Sequence, residues 1–261
     1  MSFLPLRNGS TEQARTDVIS SVESVDLKKL LPAADATVVE GYRAQRKELL
    51  TQYKSDHTPV MEIAWAGGNT VSLAMLKPLS RGNVTIASKD PLAAPIIDYG
   101  TFSADADLKM FVAMVKKTRD FMNSPPMQEI GSRATDPTEE QTDTDAKIAA
   151  WIREHATSTW AHPTSTCSML KKELGGVVDT NLFVYGVKGL RVVDASIMPI
   201  IVAGHTSSTV YAVAEKVSTA EDVCSREVHA NPLCYHRQRI SSRRRTRRRG
   251  KKSRRTRGLR L

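Results

Sequence analysis

The 261-residue chain contains few cysteines, few aromatic residues and no long apolar run. Its three cysteines (Cys167, Cys224 and Cys234) are too few for a disulfide framework, and none forms a C-x-x-C pair, so we expect no metal site. The lack of any stretch of about 18 apolar residues predicts that nothing spans a membrane. The first residues, MSFLPLRNGSTEQ, lack the apolar centre of a signal peptide, so by default we expect a cytoplasmic protein.

Acidic residues are absent from residues 235–261, which hold 14 of the 38 Lys and Arg residues. The rest of the chain carries 24 basic and 28 acidic residues and is therefore mildly acidic, despite the formal net charge of +10. An Arg-rich segment of this kind cannot bury a core and is predicted to be disordered. It could attract nucleic-acid phosphates, but it has no interleaved aromatic residues for base stacking. We therefore favour the interpretation that residues 235–261 are a tail without a selected function. Nucleic acid is not the partner we expect.

Hydrophobic periodicity predicts the positions of helices and strands. Helices are predicted at 35–53, 104–123 (with Ser103 as N-cap), 148–155 and after His205. Strands are predicted on either side of a Gly67-Gly68-Asn69 turn within 60–78, at 83–88, and as short apolar pieces between 158 and 204. Residues 1–35 are polar and poorly patterned. The fold class predicted from these elements is α+β, a mostly antiparallel sheet with flanking helices.

Two histidines stand in distinctive segments, His162 in WAHPTSTCSM and His205 in AGHTSST. His205 directly precedes a predicted helix, and the partial positive charge at a helix start disfavours a protonated imidazole. A histidine in that place can accept a proton. Spacing alone does not bring the two residues together, and a loop histidine with a satisfied ring is the alternative interpretation of His162.

The segment from His162 to Lys216 resembles the closing signature of the glucose-methanol-choline (GMC) oxidoreductases. That signature runs H-P-x-G-T-x-x-M, V-V-D, G-V-x-G-L-R-V-x-D-A-S-x-x-P, a second His or Asn, and a helix ending A-E-K. Upstream, LKPLSRGNVTIASKDPLAAPIIDY (residues 76–99) resembles the segment P-x-S-R-G-x-V, S-x-D-P, P-x-I-D of the same family. The resemblance covers roughly residues 58–222.

The resemblance implies an FAD-dependent enzyme that oxidises the CH–OH group of a small to medium alcohol, with oxygen or another molecule as electron acceptor. It implies that His162 takes the hydroxyl proton and that His205 hydrogen-bonds the same oxygen. It further implies that Asp194 and Ala195 contact the ribityl and phosphate region of FAD. Thr206 and Ser207 would lie beside the pyrimidine edge of the flavin. A turn-capping role is the alternative for Asp194.

The resemblance also implies a division of the chain into four parts. Residues 1–57 would be a polar segment and a helix, 58–157 the substrate-binding domain, 158–222 the flavin-facing return segment of an FAD-binding domain, and 223–261 the basic disordered tail.

Two departures from the family pattern stand out. Ser165 occupies the position of the glycine in H-P-x-G-T. No G-x-G-x-x-G fingerprint of a dinucleotide-binding fold occurs among the 261 residues, so the resemblance is to a C-terminal half. We therefore expect the chain alone to bind FAD poorly, and a non-catalytic remnant of such an enzyme is the alternative interpretation.

Overall fold

The computed structural model describes residues 2–67 and 70–226. Eight α-helices are assigned in this part of the chain: α1 (Leu6–Gly9), α2 (Glu12–Glu23), α3 (Leu27–Leu30), α4 (Ala36–Lys54), α5 (Asp105–Met122), α6 (Pro125–Glu129), α7 (Asp145–His155) and α8 (Ser207–Arg226). Short 3-10 helices lie at Glu140–Thr142, Lys172–Leu174 and Ala195–Ile197. The predicted helices at 35–53, 104–123, 148–155 and after His205 are confirmed. The Arg-rich residues predicted to be disordered lie outside the described residues.

In the described residues, five strands form two antiparallel sheets, which confirms the α+β class. The strands are β1 (Ser2–Leu4), β2 (Met61–Trp65), β3 (Val71–Met75), β4 (Asn83–Thr85) and β5 (Ile96–Asp98). One sheet has the order β1-β2-β3, and the other pairs β4 with β5. The predicted hairpin within 60–78 is confirmed, with Met61 opposite Met75 and Gly67 at φ +83° in the turn. The strand predicted at 83–88 forms, but it pairs with β5 and not with the hairpin.

Residues 2–35, part of the segment with little hydrophobic pattern, fold into one strand and three helices. Asp26 and Thr11 cap two of these helices through their side chains. Their few apolar residues enter the main core, which joins Leu6, Val18, Val22, Leu27 and Leu30 to Leu49, Tyr53, Met61, Met110 and Met114. Because each short helix contributes only one or two core residues, a periodic signal does not arise in the sequence.

The start of α5 differs from the prediction. Ala104, not Ser103, is the N-cap residue, and its side chain makes no capping bond. Asp107 in the first turn is 2% exposed, and its carboxylate accepts the backbone N–H groups of Leu79 at 2.9 Å and Ser80 at 2.7 Å. Burial raises the pKa of Asp107, and the hydrogen bonds from Ser80 and Leu79 oppose this effect. The residue ties α5 to the loop after β3.

The apolar pieces between 158 and 204 do not form strands. Isolated bridges join Met169 to Val178, Val178 to Val184, and Phe183 to Arg191. Turns with positive φ, including the one at Leu182, prevent longer ladders from forming. The prediction of short strands is therefore wrong for this segment.

Contacts between Cα atoms divide the chain into two units, one ending at Thr209 and one beginning at Val210. The first unit contains both histidines of interest and the four residues predicted to contact FAD: His162, His205, Asp194, Ala195, Thr206 and Ser207. In the described part of the chain, no helix is long and apolar enough to cross a membrane. The division into the four parts 1–57, 58–157, 158–222 and 223–261 stays a prediction.

Candidate active site

The two histidines singled out in the sequence lie against each other. His205 Nδ1 is 3.1 Å from His162 Nε2, and the ring centroids are 5.0 Å apart with an angle of 52° between the ring planes. At this distance one nitrogen carries the proton and the other accepts it. The loop containing His162 and the segment just before α8 thus place the two imidazoles together, although 43 residues separate them in sequence.

Backbone turns of unusual conformation present His162. Ala161 has φ +59° and Ser165 has φ +78°, values that favour glycine. The N–H of His162 donates to Thr159 Oγ1 at 2.9 Å, which fixes the turn before the histidine. The positive φ at Ser165 gives the physical reason for glycine in H-P-x-G-T, and here a serine adopts the strained conformation.

Asp194 and Ala195 are tied to the His162 loop through backbone hydrogen bonds. The N–H of Cys167 donates to the carbonyl of Ser196 at 3.0 Å, and the N–H of Met169 donates to that of Ile197 at 2.8 Å. Asp194 caps the 3-10 helix that starts at Ala195, because its Oδ1 accepts the backbone N–H of Ser196 at 2.8 Å. The capping role considered for Asp194 is therefore present, and the residue is also exposed.

Thr206 and Ser207 stand between His205 and the body of α8. Thr206 is buried, with 7% of its surface exposed, whereas Ser207 is exposed and is the first residue of the helix. Both residues therefore lie beside the histidine pair in the chain. The structure places all six predicted site residues in two groups: His205 with Thr206 and Ser207, and the loop of His162 with Asp194 and Ala195.

Glu62 is a third member of the site that the sequence reasoning missed. It lies in β2 with 1% of its surface exposed, and its Oε1 is 3.4 Å from His205 Nε2. In the described residues this oxygen has no partner at ordinary hydrogen-bond geometry, and the His205 ring nitrogen lies within ion-pair distance of it. The sequence signal was present: a single carboxylate in the otherwise apolar strand MEIAW.

The histidines border a cleft of about 770 Å³. Its wall includes the aromatic side chains of Phe111, Trp151 and Trp160. The Trp160 indole lies parallel to the His205 ring, with 3° between their planes and 6.4 Å between centroids. The volume is in the range of small-molecule sites.

The sequence model of the GMC oxidoreductase family matches residues 78–214, slightly more than half of the chain. Dehydrogenase xptC of Emericella nidulans is 30% identical over 218 residues, which are 83% of this chain and 35% of that protein. The GMC oxidoreductase family protein Mala s 12 of Malassezia sympodialis is 42% identical over 149 residues, which are 57% of this chain and 24% of that protein. The chain thus spans about a quarter to a third of the length of these curated relatives.

Solved structures agree with this relationship. An FAD-dependent oxidoreductase from Chaetomium thermophilum superposes with a TM-score of 0.80 at 34% identity, over 87% of this chain and 38% of that chain. A fungal aryl-alcohol oxidase superposes with a TM-score of 0.75 at 34% identity, over 83% of this chain and 37% of that chain. The family match, the sequence identities and the shared fold lead to one conclusion: the chain belongs to the GMC oxidoreductase family.

Proposed function

We propose that this chain forms the proton-handling, substrate-side part of an FAD-dependent oxidoreductase that acts on CH–OH groups. The observation that carries the proposal is the 3.1 Å contact between His205 Nδ1 and His162 Nε2 at the edge of an aromatic cleft. Both histidines lie inside the segment matched by the family model.

The chemistry of the pair follows from its geometry. An alcohol that enters the cleft would place its oxygen between the two imidazole nitrogens and replace their direct contact. His162 Nε2 would then accept the hydroxyl proton, while His205 Nδ1 would hydrogen-bond the same oxygen. Loss of the proton raises the electron density on the carbinol carbon and so favours departure of a hydride. When bound, FAD supplies the acceptor for that hydride.

Glu62 would act as a positioning residue for this chemistry. Its carboxylate lies 3.4 Å from His205 Nε2, on the side of the ring away from His162. A carboxylate at one ring nitrogen fixes the orientation of the imidazole. The Nδ1 nitrogen of His205 is thereby kept directed at His162 and at the substrate oxygen.

The residues present fit the flavin end of the cofactor. The carboxylate of Asp194 is exposed, the hydroxyl of Ser207 is exposed, and α8 begins directly after the histidine pair. We therefore propose Asp194, Ala195, Thr206 and Ser207 as the FAD-contacting residues of this chain. A helix start beside the flavin favours negative charge there. Because no G-x-G-x-x-G occurs in the sequence, contacts with the adenosine and pyrophosphate would have to come from other polypeptide.

The substrate would be a small to medium alcohol, with oxygen or another molecule as electron acceptor. The cleft as a whole has more apolar than polar surface, so apolar alcohols fit it better than highly hydroxylated ones. An aryl-alcohol oxidase is among the structures that this chain resembles. We expect aromatic primary alcohols to be the best first probes.

A flavin absorption experiment tests the proposal. The purified chain is incubated with excess FAD, and the visible spectrum is recorded before and after gel filtration. The band near ~450 nm, a property of the cofactor, is then followed anaerobically as an aromatic alcohol is added. We expect weak retention of FAD, and alcohol-dependent bleaching in the presence of excess FAD. His162→Ala and His205→Ala should each abolish the bleaching.

A non-catalytic remnant is the second candidate. The absence of a G-x-G-x-x-G fingerprint from the 261 residues favours it. Absence of both flavin retention and bleaching in the same experiment would support the remnant. Bleaching that is equal in the wild type and in both histidine variants would contradict the proposed roles of the histidines. Nucleic-acid binding by residues 235–261 remains a prediction from the sequence, and deletion of that segment tests it.

A further inference from the structure

Lys77 is a buried lysine next to the candidate active site. It lies two residues after the end of β3, and only 6% of its surface is exposed. Its ammonium Nζ donates to the carbonyl oxygen of Ile201 at 2.5 Å, across 124 residues of sequence. Lysines are rarely buried, because removing the ammonium from water is costly. A lysine at this position therefore needs polar partners that offset the cost of desolvation.

The backbone of Lys77 is fixed by the core. Its carbonyl accepts the hydroxyl of Tyr53 at 2.8 Å, and the preceding N–H, of Leu76, donates to Val60 at 2.9 Å. Burial lowers the pKa of Lys77, and attraction by the Glu48 carboxylate opposes this effect in part. The ammonium is thus held at one point by a rigid part of the fold.

The acceptor lies in a stretch with little regular structure. Residues 199–204 connect the 3-10 helix at Ala195–Ile197 to His205 and contain neither helix nor strand. Among the backbone–backbone hydrogen bonds of the described residues, none involves residues 199–204. Ile200 packs against the main core, and the bond from Lys77 holds the carbonyl of the next residue. The hydrogen bond from Lys77 therefore anchors the backbone of the segment that leads to His205.

The same hairpin holds the His205 segment at two points. Glu62 in β2 lies opposite Ala74 in β3, and its carboxylate faces the His205 ring. Lys77 follows β3 and holds the backbone four residues before His205. One contact orients the ring, and the other fixes the chain that carries it.

We propose that Lys77 is a positioning residue for His205, which keeps the imidazole within hydrogen-bond distance of His162 by holding the Ile201 carbonyl. The effect on ring geometry is a property of this chain alone. Its importance for alcohol oxidation rests on the function proposed above.

Selective ¹⁵N labelling of the histidines of the full chain tests the inference by NMR. Long-range ¹H–¹⁵N correlations report which ring nitrogens carry protons and whether His162 and His205 share one. In Lys77→Met we expect the ratio of paired to unpaired molecules to fall about tenfold, the factor expected for loss of one buried hydrogen bond of ~1.4 kcal/mol. Lys77→Arg, which keeps a donor, should restore pairing at least in part. Lys54→Met, which removes an exposed ion pair with Glu23, is the matched control and should leave pairing unchanged.

The outcomes separate positioning from general stabilisation. A Lys77→Met chain that folds and keeps the paired signals would overturn the proposal, as would a folded Lys77→Arg chain that has lost them. If neither variant folds, Lys77 is a general core residue and the proposal also fails. Unpaired signals in Lys77→Met, with no alcohol-dependent bleaching in the wild type, would support the positioning role and reject the proposed function instead.

Discussion

Two regions of the molecule meet at the histidine pair, and they are built in different ways. The sheet region, residues 2–122, has regular helices, a three-stranded antiparallel sheet and a continuous apolar core. The turn region, residues 158–205, has isolated bridges, short 3-10 helices and positive φ angles at Ala161, Ser165 and Leu182. The sheet region contributes Glu62 and Lys77, which are buried. The turn region contributes the imidazoles, and that of His205 is exposed.

This difference indicates a division of labour. Side chains of the sheet region have their positions fixed by packing and by ladder hydrogen bonds, so they can hold other groups in place. The turn region brings its imidazoles to the cleft because irregular backbone can present side chains at angles that strands and helices do not allow. Substitutions in the sheet region should therefore affect the free energy of unfolding most. Substitutions in the turn region should affect mainly the local geometry of the site.

The largest effect is expected for Asp107→Ala in the sheet region. The change leaves the buried N–H groups of Leu79 and Ser80 without acceptors, and we expect the free energy of unfolding to fall by about 3 kcal/mol. Asp105→Ala is the matched control, because this exposed residue lies in the same helical turn and should cost only ~0.5 kcal/mol. Urea unfolding measures both. Equal effects would remove the contrast between buried and exposed carboxylates on which the prediction depends.

Ionisation of Tyr42 should destabilise the sheet region at high pH. Burial raises the pKa of Tyr42 from 10.0 to about 12, and nearby Arg81 opposes this in part. The folded state favours the neutral phenol, so its contribution is complete below pH 10 and is lost as the pH rises to about 12. We expect a loss of about 2–3 kcal/mol over this window.

The pH effect is measured as the difference between the wild type and Tyr42→Phe in urea unfolding. Tyr53 remains in both proteins, and burial, the largest cause of its raised pKa, is the same in both, so the comparison reports mainly on Tyr42. A constant difference between the two proteins across the window would show that Tyr42 ionises equally easily in the folded and unfolded chains.

Glu62→Gln should affect the site more than the fold. The amide keeps the shape of the buried side chain but removes the negative charge beside His205 Nε2, and we expect a cost of about 1 kcal/mol. The ¹⁵N signals of the His205 ring should move, because the negative charge beside Nε2 is lost. Glu23→Gln, in an exposed ion pair with Lys54, should change stability by less than ~0.5 kcal/mol and leave the His205 signals in place. Unmoved His205 signals in Glu62→Gln would remove Glu62 from the site.

The smallest effect is expected for Ser165→Gly in the turn region. Glycine relieves the cost of φ +78°, while it adds freedom to the unfolded chain and removes the contact of the serine hydroxyl with Thr164 Oγ1. The net gain should be at most about 1 kcal/mol. Ser158→Gly, at an exposed position without positive φ, should instead be slightly destabilising. Melting temperatures of the two variants provide the comparison, and a destabilised Ser165→Gly would show that the serine is not strained.

The sequence predicts the longer elements well because their patterns are local. The spacing of apolar residues predicts α4 and α5 to within a few residues. The glycine turn predicts the hairpin of β2 and β3 equally well. The short helices of residues 1–35 and the pairing of β1 with β2 could not be predicted, because each depends on contacts with distant residues. The apolar pieces of the turn region resemble strands in composition, but the turns between them do not allow extended pairing.

The site was only partly predictable for a similar reason. The segments around His162 and His205 carry family patterns, so both residues can be selected from the sequence, although their 3.1 Å contact cannot. Glu62 and Lys77 have no such pattern. Their signal is a charged side chain in, or just after, an apolar strand, and its significance depends on what lies opposite in the fold.

The most direct test of the central claim is the ¹H–¹⁵N spectrum of the wild-type chain with ¹⁵N-labelled histidines, compared with His162→Ala and His205→Ala. We predict a ring proton shared between His205 Nδ1 and His162 Nε2. This signal should be lost in both variants, and the remaining ring of each should take on the signals of an unpaired imidazole. The wild type could instead show solvent-exposed signals for both rings, each unaffected by replacement of the other. This result would contradict the pairing of His162 and His205.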